Sequence, residues 1–163
     1  MKKGLIFFLL MLIVTVFMIT SIDSNAFTGS NGLQKDDKLK AAIEKPNFTF
    51  VANMAYPTRG RARSLSPNYD LKVSKDTIIA YLPFFGRAYT APLSPEEAGI
   101  MFTSTNFSYS SKFAKRGGWE ITIKTNDTKT RYELFLSISK NGYGTLKVIS
   151  VNREGISFSG EIR

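Results

Sequence analysis

The hydrophobic positions of this chain change their spacing twice. An uncharged apolar run from Leu5 to Ile19 follows Lys2 and Lys3 and ends near the small-residue triplet Ser24-Asn25-Ala26. Helical spacing comes next: Leu33, just before it, and Leu39, Ala42 and Ile43 within it fall near one face of Gln34 to Lys45, which predicts a short helix stopped by Pro46. From Phe48 onward the period is two. Phe48, Phe50, Ala52 and Met54 form one alternating set, and Tyr69, Leu71 and Val73 another. Thr77 to Leu82 is a short apolar strand. The clearest alternation comes late, in Trp119-Ile121-Ile123, in Tyr132-Leu134-Leu136-Ile138 and in Ile156-Phe158-Ile162. One apolar face and one wet face is the pattern of an antiparallel sheet. Thr145 to Val151 departs from it, because Leu146, Val148, Ile149 and Val151 populate both faces. That strand is expected to be covered on both sides, with the N-terminal helix on its outer face.

Residues that tolerate positive φ stand between these runs: Arg116-Gly117-Gly118, Asn126-Asp127, Asn141-Gly142 and Asn152-Arg153-Glu154-Gly155. Short strands joined by such turns make an antiparallel meander. About eight of them must close or stack to hide their edges. The expected fold is therefore all-β, an antiparallel barrel with a short N-terminal helix; the alternative is a two-sheet β-sandwich. The expected organisation is a signal peptide over 1–26, a leader and short helix over 27–45, and a single β domain over 46–163.

The first 26 residues have the layout of a secretory signal: a cationic start, an apolar core and a small-x-small cleavage site before Phe27. Retention as a membrane anchor is the rival, since about 18 apolar residues begin to suffice for a span. The predicted location is outside the cytoplasm, in the periplasm or cell envelope. The chain has no cysteine and no histidine. It therefore relies on its apolar core rather than on disulfides, and it cannot carry a lipid on cysteine. A formal charge of +9 suggests anionic partners, and for an exported protein these are envelope headgroups and glycolipids rather than nucleic acid. Lysines on exposed strands also serve solubility.

The middle of the chain reads Tyr81-Leu82-Pro83-Phe84-Phe85-Gly86-Arg87-Ala88-Tyr89, followed by Ala91-Pro92. With Asn152-Arg153, Ile156-Ser157-Phe158 and Gly160, this resembles an uncharacterised family of exported Bacteroidetes proteins, domain of unknown function 4251. The resemblance runs from about Leu39 to Ile162. Many members carry tyrosine where Phe84 or Phe85 stands, and many have a lipobox cysteine that this chain lacks. The resemblance implies a lipocalin-like barrel. It implies no activity, so no functional residue is carried over. On its own residues, the segment reads as an aromatic loop. Pro83 ends a strand or marks an edge, Phe84, Phe85 and Tyr89 seek burial, and Arg87 sits among them. The loop either plugs the barrel end, with Arg87 satisfying carbonyls, or contacts a ligand.

Catalysis has little to draw on. Without cysteine or histidine there is no thiolate, no imidazole base and no nitrogen or sulfur metal ligand. Asp70, Glu120, Glu133 and Glu161 fall on predicted outer faces, and Glu96-Glu97 reads as the first turn of a helix. We expect neither an enzyme nor a cofactor or metal. The densest positive feature is Arg59-Gly60-Arg61-Ala62-Arg63. If extended, it projects its guanidiniums together and suits phosphate or carboxylate; otherwise it is a solvated loop between Pro57 and Pro67. The expected function is a non-enzymatic interaction or structural domain of the envelope, with Arg59, Arg61, Arg63 and Arg87 as candidate anion contacts. The alternative is a module that binds a small apolar or amphipathic ligand within the barrel. The inward face decides between them, because Phe48, Phe50, Tyr69, Trp119, Tyr132, Leu134, Leu136 and Phe158 are bulky enough to fill a small barrel.

Overall fold

β-Branched and aromatic residues at alternating positions make most of the ten strands among the described residues, because such side chains pack well on a half-buried pleated surface. The structure is a computed structural model that describes residues 30–90, 98–115 and 117–163. The signal and cleavage site expected over 1–26, and the helical turn expected at Glu96-Glu97, lie outside the described residues. In chain order the elements are α1 (Ser30–Glu44), β1 (Phe48–Pro57), β2 (Arg63–Ser64), β3 (Asp70–Val73), β4 (Ile78–Leu82), β5 (Ile100–Ser104), β6 (Phe107–Phe113), β7 (Trp119–Thr125), β8 (Tyr132–Ile138), β9 (Tyr143–Ser150) and β10 (Arg153–Ile162). The helix begins four residues before the Gln34 expected from spacing. Residues 35–163 form one compact unit.

All pairings are antiparallel, in the order β5-β4-β3-β1-β10-β9-β8-β7-β6, with β2 branching onto β1. The sheet curls into a nearly closed barrel, as the alternation implied, and not into two stacked layers. Its edges, β5 and β6, are consecutive strands. Two contacts bring them round to each other. Phe102 of β5 stacks on Tyr132 of β8, with ring centroids 4.6 Å apart. Asp127, in the β7–β8 turn, holds the β5–β6 turn by accepting the Ser104 hydroxyl and the backbone N–H groups of Thr105 and Asn106. The Ser104 hydroxyl first, and then the backbone donors, keep that carboxyl well below the usual carboxylate range. The cap is thus charged throughout the neutral range.

The inner face is the core. Leu71, Ile78, Leu82, Ile100, Ile121, Ile123, Leu134, Leu136 and Phe158 are all fully buried, and Leu39 and Ile43 of α1 join them. On β7, β8 and β10 the expected inward sets are the observed ones, with Ile162 half-buried at the end. β1 differs. Its register against β10 slips between Ala52 and Met54, so Asn53 is extra, Met54 leaves the inner face and Ala55 takes it. The bulge also ends pairing with β3, which covers Phe48 to Val51, and lets β2 pair with Met54 and Ala55.

The expectation of a doubly covered strand near 145–151 is corrected. In β9, Gly144, Leu146 and Val148 point inward in strict alternation, Ile149 lies on the outer face, and Val151 falls in the turn. The helix docks elsewhere: the Tyr109 hydroxyl of β6 donates to the Ile43 carbonyl at 2.8 Å. Burial pushes that phenol up to about 12, so it remains a donor.

Candidate functional site

The aromatic segment 83–90 ties itself to the β9–β10 turn. Tyr89 N–H donates to the Asn152 carbonyl at 2.8 Å, and Glu154 N–H donates to the Arg87 carbonyl at 3.0 Å. Ala88 and Arg153 form an isolated bridge between these bonds. The Glu154 carboxylate sits at the junction. It accepts the Arg87 N–H at 3.4 Å and lies 3.5 Å from the Arg59 guanidinium. The Thr58 hydroxyl reaches the Gly155 carbonyl at 2.6 Å. Three segments far apart in sequence, 57–63, 83–90 and 152–155, therefore meet here.

Within this junction the candidate arginines have different surroundings. Arg59 turns toward Glu154. Arg63, on β2, lies over the Phe85 ring at 4.6 Å from its centroid, a cation–π contact. Arg61, beyond Gly60 with its φ of 107°, is exposed. The common projection expected of Arg59, Arg61 and Arg63 is thus replaced by a spread around the loop, because two of the three have found local partners. Arg87 contributes backbone polar groups to the junction while the residue itself is exposed. Phe84 and Phe85 are half-buried against the core, but Tyr89 is 63% exposed.

The buried arginine against this segment is Arg153, not Arg87. Arg153 is only 8% exposed; its Nη1 donates to the Gly99 carbonyl at 2.7 Å, and its guanidinium lies 4.8 Å from the Phe84 ring centroid. A buried guanidinium must be hydrogen-bonded or paired to be tolerated. Its bond to Gly99 joins the β9–β10 turn to the segment leading into β5. Sequence reasoning assigned Arg153 to the hairpin turn Asn152-Arg153-Glu154-Gly155, and a turn position gives no local sign of burial. One signal pointed to it: the two strings that carried the family resemblance, 81–89 and 152–153, are those that touch.

This end offers guanidiniums set around a hydrogen-bonded aromatic loop, with the Glu154 carboxylate between Arg59 and the Arg87 backbone. Among the described residues, no three acidic groups converge as a metal site would need, and no helix is long and apolar enough to cross a membrane.

Comparison with known proteins agrees with this architecture. No curated protein matches the chain. The crystal structure of a DUF4251 family protein from Bacteroides eggerthii is similar in fold, with a TM-score of 0.58 at 16% identity, covering 79% of this chain and 87% of that one. At that identity the likeness concerns fold alone. The model of the domain of unknown function DUF4251 matches residues 31–162, nearly all of the described fold. The chain belongs to the DUF4251 family.

Proposed function

We propose that this protein is an exported, non-catalytic interaction domain that engages an anionic component of the cell envelope through its arginine-bearing end. One observation carries the reading: the hydrogen-bonded junction of segments 57–63, 83–90 and 152–155 holds Arg59, Arg61, Arg63 and Arg87 around a fixed loop. A cation display held by backbone bonds loses less side-chain and loop freedom on binding than a disordered basic tail would. A guanidinium suits phosphate and carboxylate oxygens through its forked donors. The inner face supports a surface interaction over a ligand inside the barrel, because Phe48, Phe50, Trp119, Tyr132, Leu134, Leu136 and Phe158 are all buried there. The route out of the cytoplasm is the segment before Phe27, and N-terminal sequencing of exported protein is expected to begin at that residue. A start at Met1 in a membrane fraction would mean anchoring instead.

Vesicle binding tests the interaction. The domain is expected to bind phosphatidylglycerol vesicles at low salt and to ignore phosphatidylcholine. Exposed charge attraction weakens as the Debye length shrinks from about 10 Å at 0.1 M salt to about 3 Å at 1 M. Binding should therefore fall with salt, and fall further when Arg59, Arg61 and Arg63 are all alanine. Indifference of the wild type to anionic vesicles at low salt, or unchanged binding by the triple variant, would overturn the reading.

A further inference from the structure

The segments that meet at the arginine-bearing end carry five arginines, Arg59, Arg61, Arg63, Arg87 and Arg153, and a single acid, Glu154. A bulge aims that acid. The register of β10 against β9 slips between Arg153 and Ile156, which leaves β10 one residue longer there, and a bulge redirects the side chains it carries. The Glu154 side chain is only 10% exposed, with one carboxylate oxygen toward the Arg87 N–H and the other toward the Arg59 guanidinium. A covered carboxylate offsets its lost hydration best through charge-assisted bonds of about 2.7–2.9 Å. The two at Glu154 are longer, 3.4 Å to the Arg87 nitrogen and 3.5 Å to Arg59. Other acids of the protein are held closer: Asp127 takes backbone donors at 2.8 and 2.9 Å, and Glu161 takes Arg163 at 2.6 Å. Nor does the junction depend on this carboxylate. The Tyr89–Asn152 and Glu154–Arg87 backbone bonds and the Thr58–Gly155 bond join the three segments without it.

We infer that the Glu154 carboxylate occupies the seat of a ligand oxyanion, a phosphate or carboxylate group that displaces it on binding; this deepens, and rests on, the anion-binding role proposed above. The geometry selects the sign of the ligand. A main-chain N–H and a guanidinium converge on one point, and both can only donate, so that point accepts an oxyanion and repels a cation. The N–H is fixed by the backbone bonds of its loop, whereas Arg59 is 78% exposed and can follow an incoming group. Displacement has a favourable side, since Glu154 gives up two long bonds and regains hydration. An untethered oxyanion also settles at the distance the donors prefer, which a carboxylate carried on β10 does not reach. In the unbound protein, Glu154 therefore offsets the Arg59 charge and holds the seat closed to weak anions.

Two charge-matched variants test this through vesicle binding. Glu154→Gln keeps the shape of the side chain and removes its charge. Glu161→Gln makes the same change near the other end of β10 and likewise frees an arginine, Arg163. With phosphatidylglycerol vesicles at low salt, Glu154→Gln is expected to bind about ten-fold more tightly than the wild type, and Glu161→Gln within about two-fold of it. In the Arg59→Ala background, the gain from Glu154→Gln should shrink to that of the control, because changes within one contact network do not add. Circular dichroism should remain that of the wild type, since the backbone bonds of the junction are intact; loss of the fold in Glu154→Gln would overturn the inference by making the carboxylate a structural tie. Calorimetry with glycerol phosphate separates two sources of the oxyanion. Saturable heat with Glu154→Gln assigns the seat to a free phosphate group, and vesicle binding without it assigns the seat to a membrane headgroup. Equal gains from the two variants, or a gain that survives Arg59→Ala, would overturn the inference, while vesicle binding lost in the triple arginine variant would still uphold the arginine-bearing end. Failure of every variant to bind vesicles would overturn both.

Discussion

Replacing Gly160 with alanine is expected to destabilise the protein by about 3 kcal/mol, toward or beyond the upper end of what an added methyl costs in a packed core. Gly160 lies on the inner face of β10 opposite Ala52. A Cβ there would stand 2.0 Å from the Val51 carbonyl oxygen and 2.9 Å from the Phe50 ring. The ring could shift, but the carbonyl belongs to the β1 backbone and cannot retreat without loosening the β1–β10 ladder. Gly155→Ala is the control. It is on the same strand, and its nearest neighbour would be at an ordinary 3.6 Å. Urea denaturation should show a large loss of midpoint for Gly160→Ala and a small change for Gly155→Ala. Equal midpoints would mean that the two strands are not packed this closely.

Trp119→Ala is expected to cost about 3–5 kcal/mol, the usual range for removing a large buried aromatic. For a domain whose total stability is about 5–15 kcal/mol, that is a large share. The residue heads the inward row of β7, opposes Ile138 of β8 and supports Phe113 of β6. Its loss therefore affects three strands. A midpoint within error of the wild type would show that the indole contributes little to the core.

The legible part of this fold is the part where a strand obeys one face throughout. β7 from Trp119 to Ile123, β8 and the middle of β10 have apolar residues at their inward positions, and their outward partners, Phe135 apart, are polar. β1 was legible only up to its bulge. Asn53 is polar and Met54 apolar, so a strict alternation through them is the natural reading, and only the slip against β10 moves Ala55 inward. β5 and β6 were not expected at all. In β6 the inward row is Phe107, Tyr109, Ser111 and Phe113, and a serine in that row interrupts the apolar signal where the barrel wall is uncovered. The short β2 has no pattern to read, since it exists only because β1 bends.

At the arginine-bearing end, local composition pointed to the right segments and to the wrong arginine. The string from Pro83 to Tyr89 looked like an end-closing loop because it joins a strand-ending proline to large aromatics, and Phe84 and Phe85 do pack inward. Whether Arg87 or Arg153 enters that cluster depends on which chain segment crosses it. The answer comes from a bridge between residues 88 and 153, which no local pattern encodes. The same reason explains Glu154. An acid in a turn is ordinary, and it becomes a junction only when Arg59 and the Arg87 backbone arrive from elsewhere.

The pairing of β1 with β10 has a consequence for the order of events in the cell. Phe50 lies opposite Ile162, and Thr49 exchanges backbone hydrogen bonds with Arg163 at 3.1 and 2.9 Å. These contacts join opposite ends of the described fold, and such remote pairings form slowly because a long loop must close first. On the ribosome, β1 emerges early and can meet β3, but its other side must wait until β10 has been synthesised. The central seam of the barrel thus cannot form before β10 has been made, and until then β1 presents one edge without its partner strand.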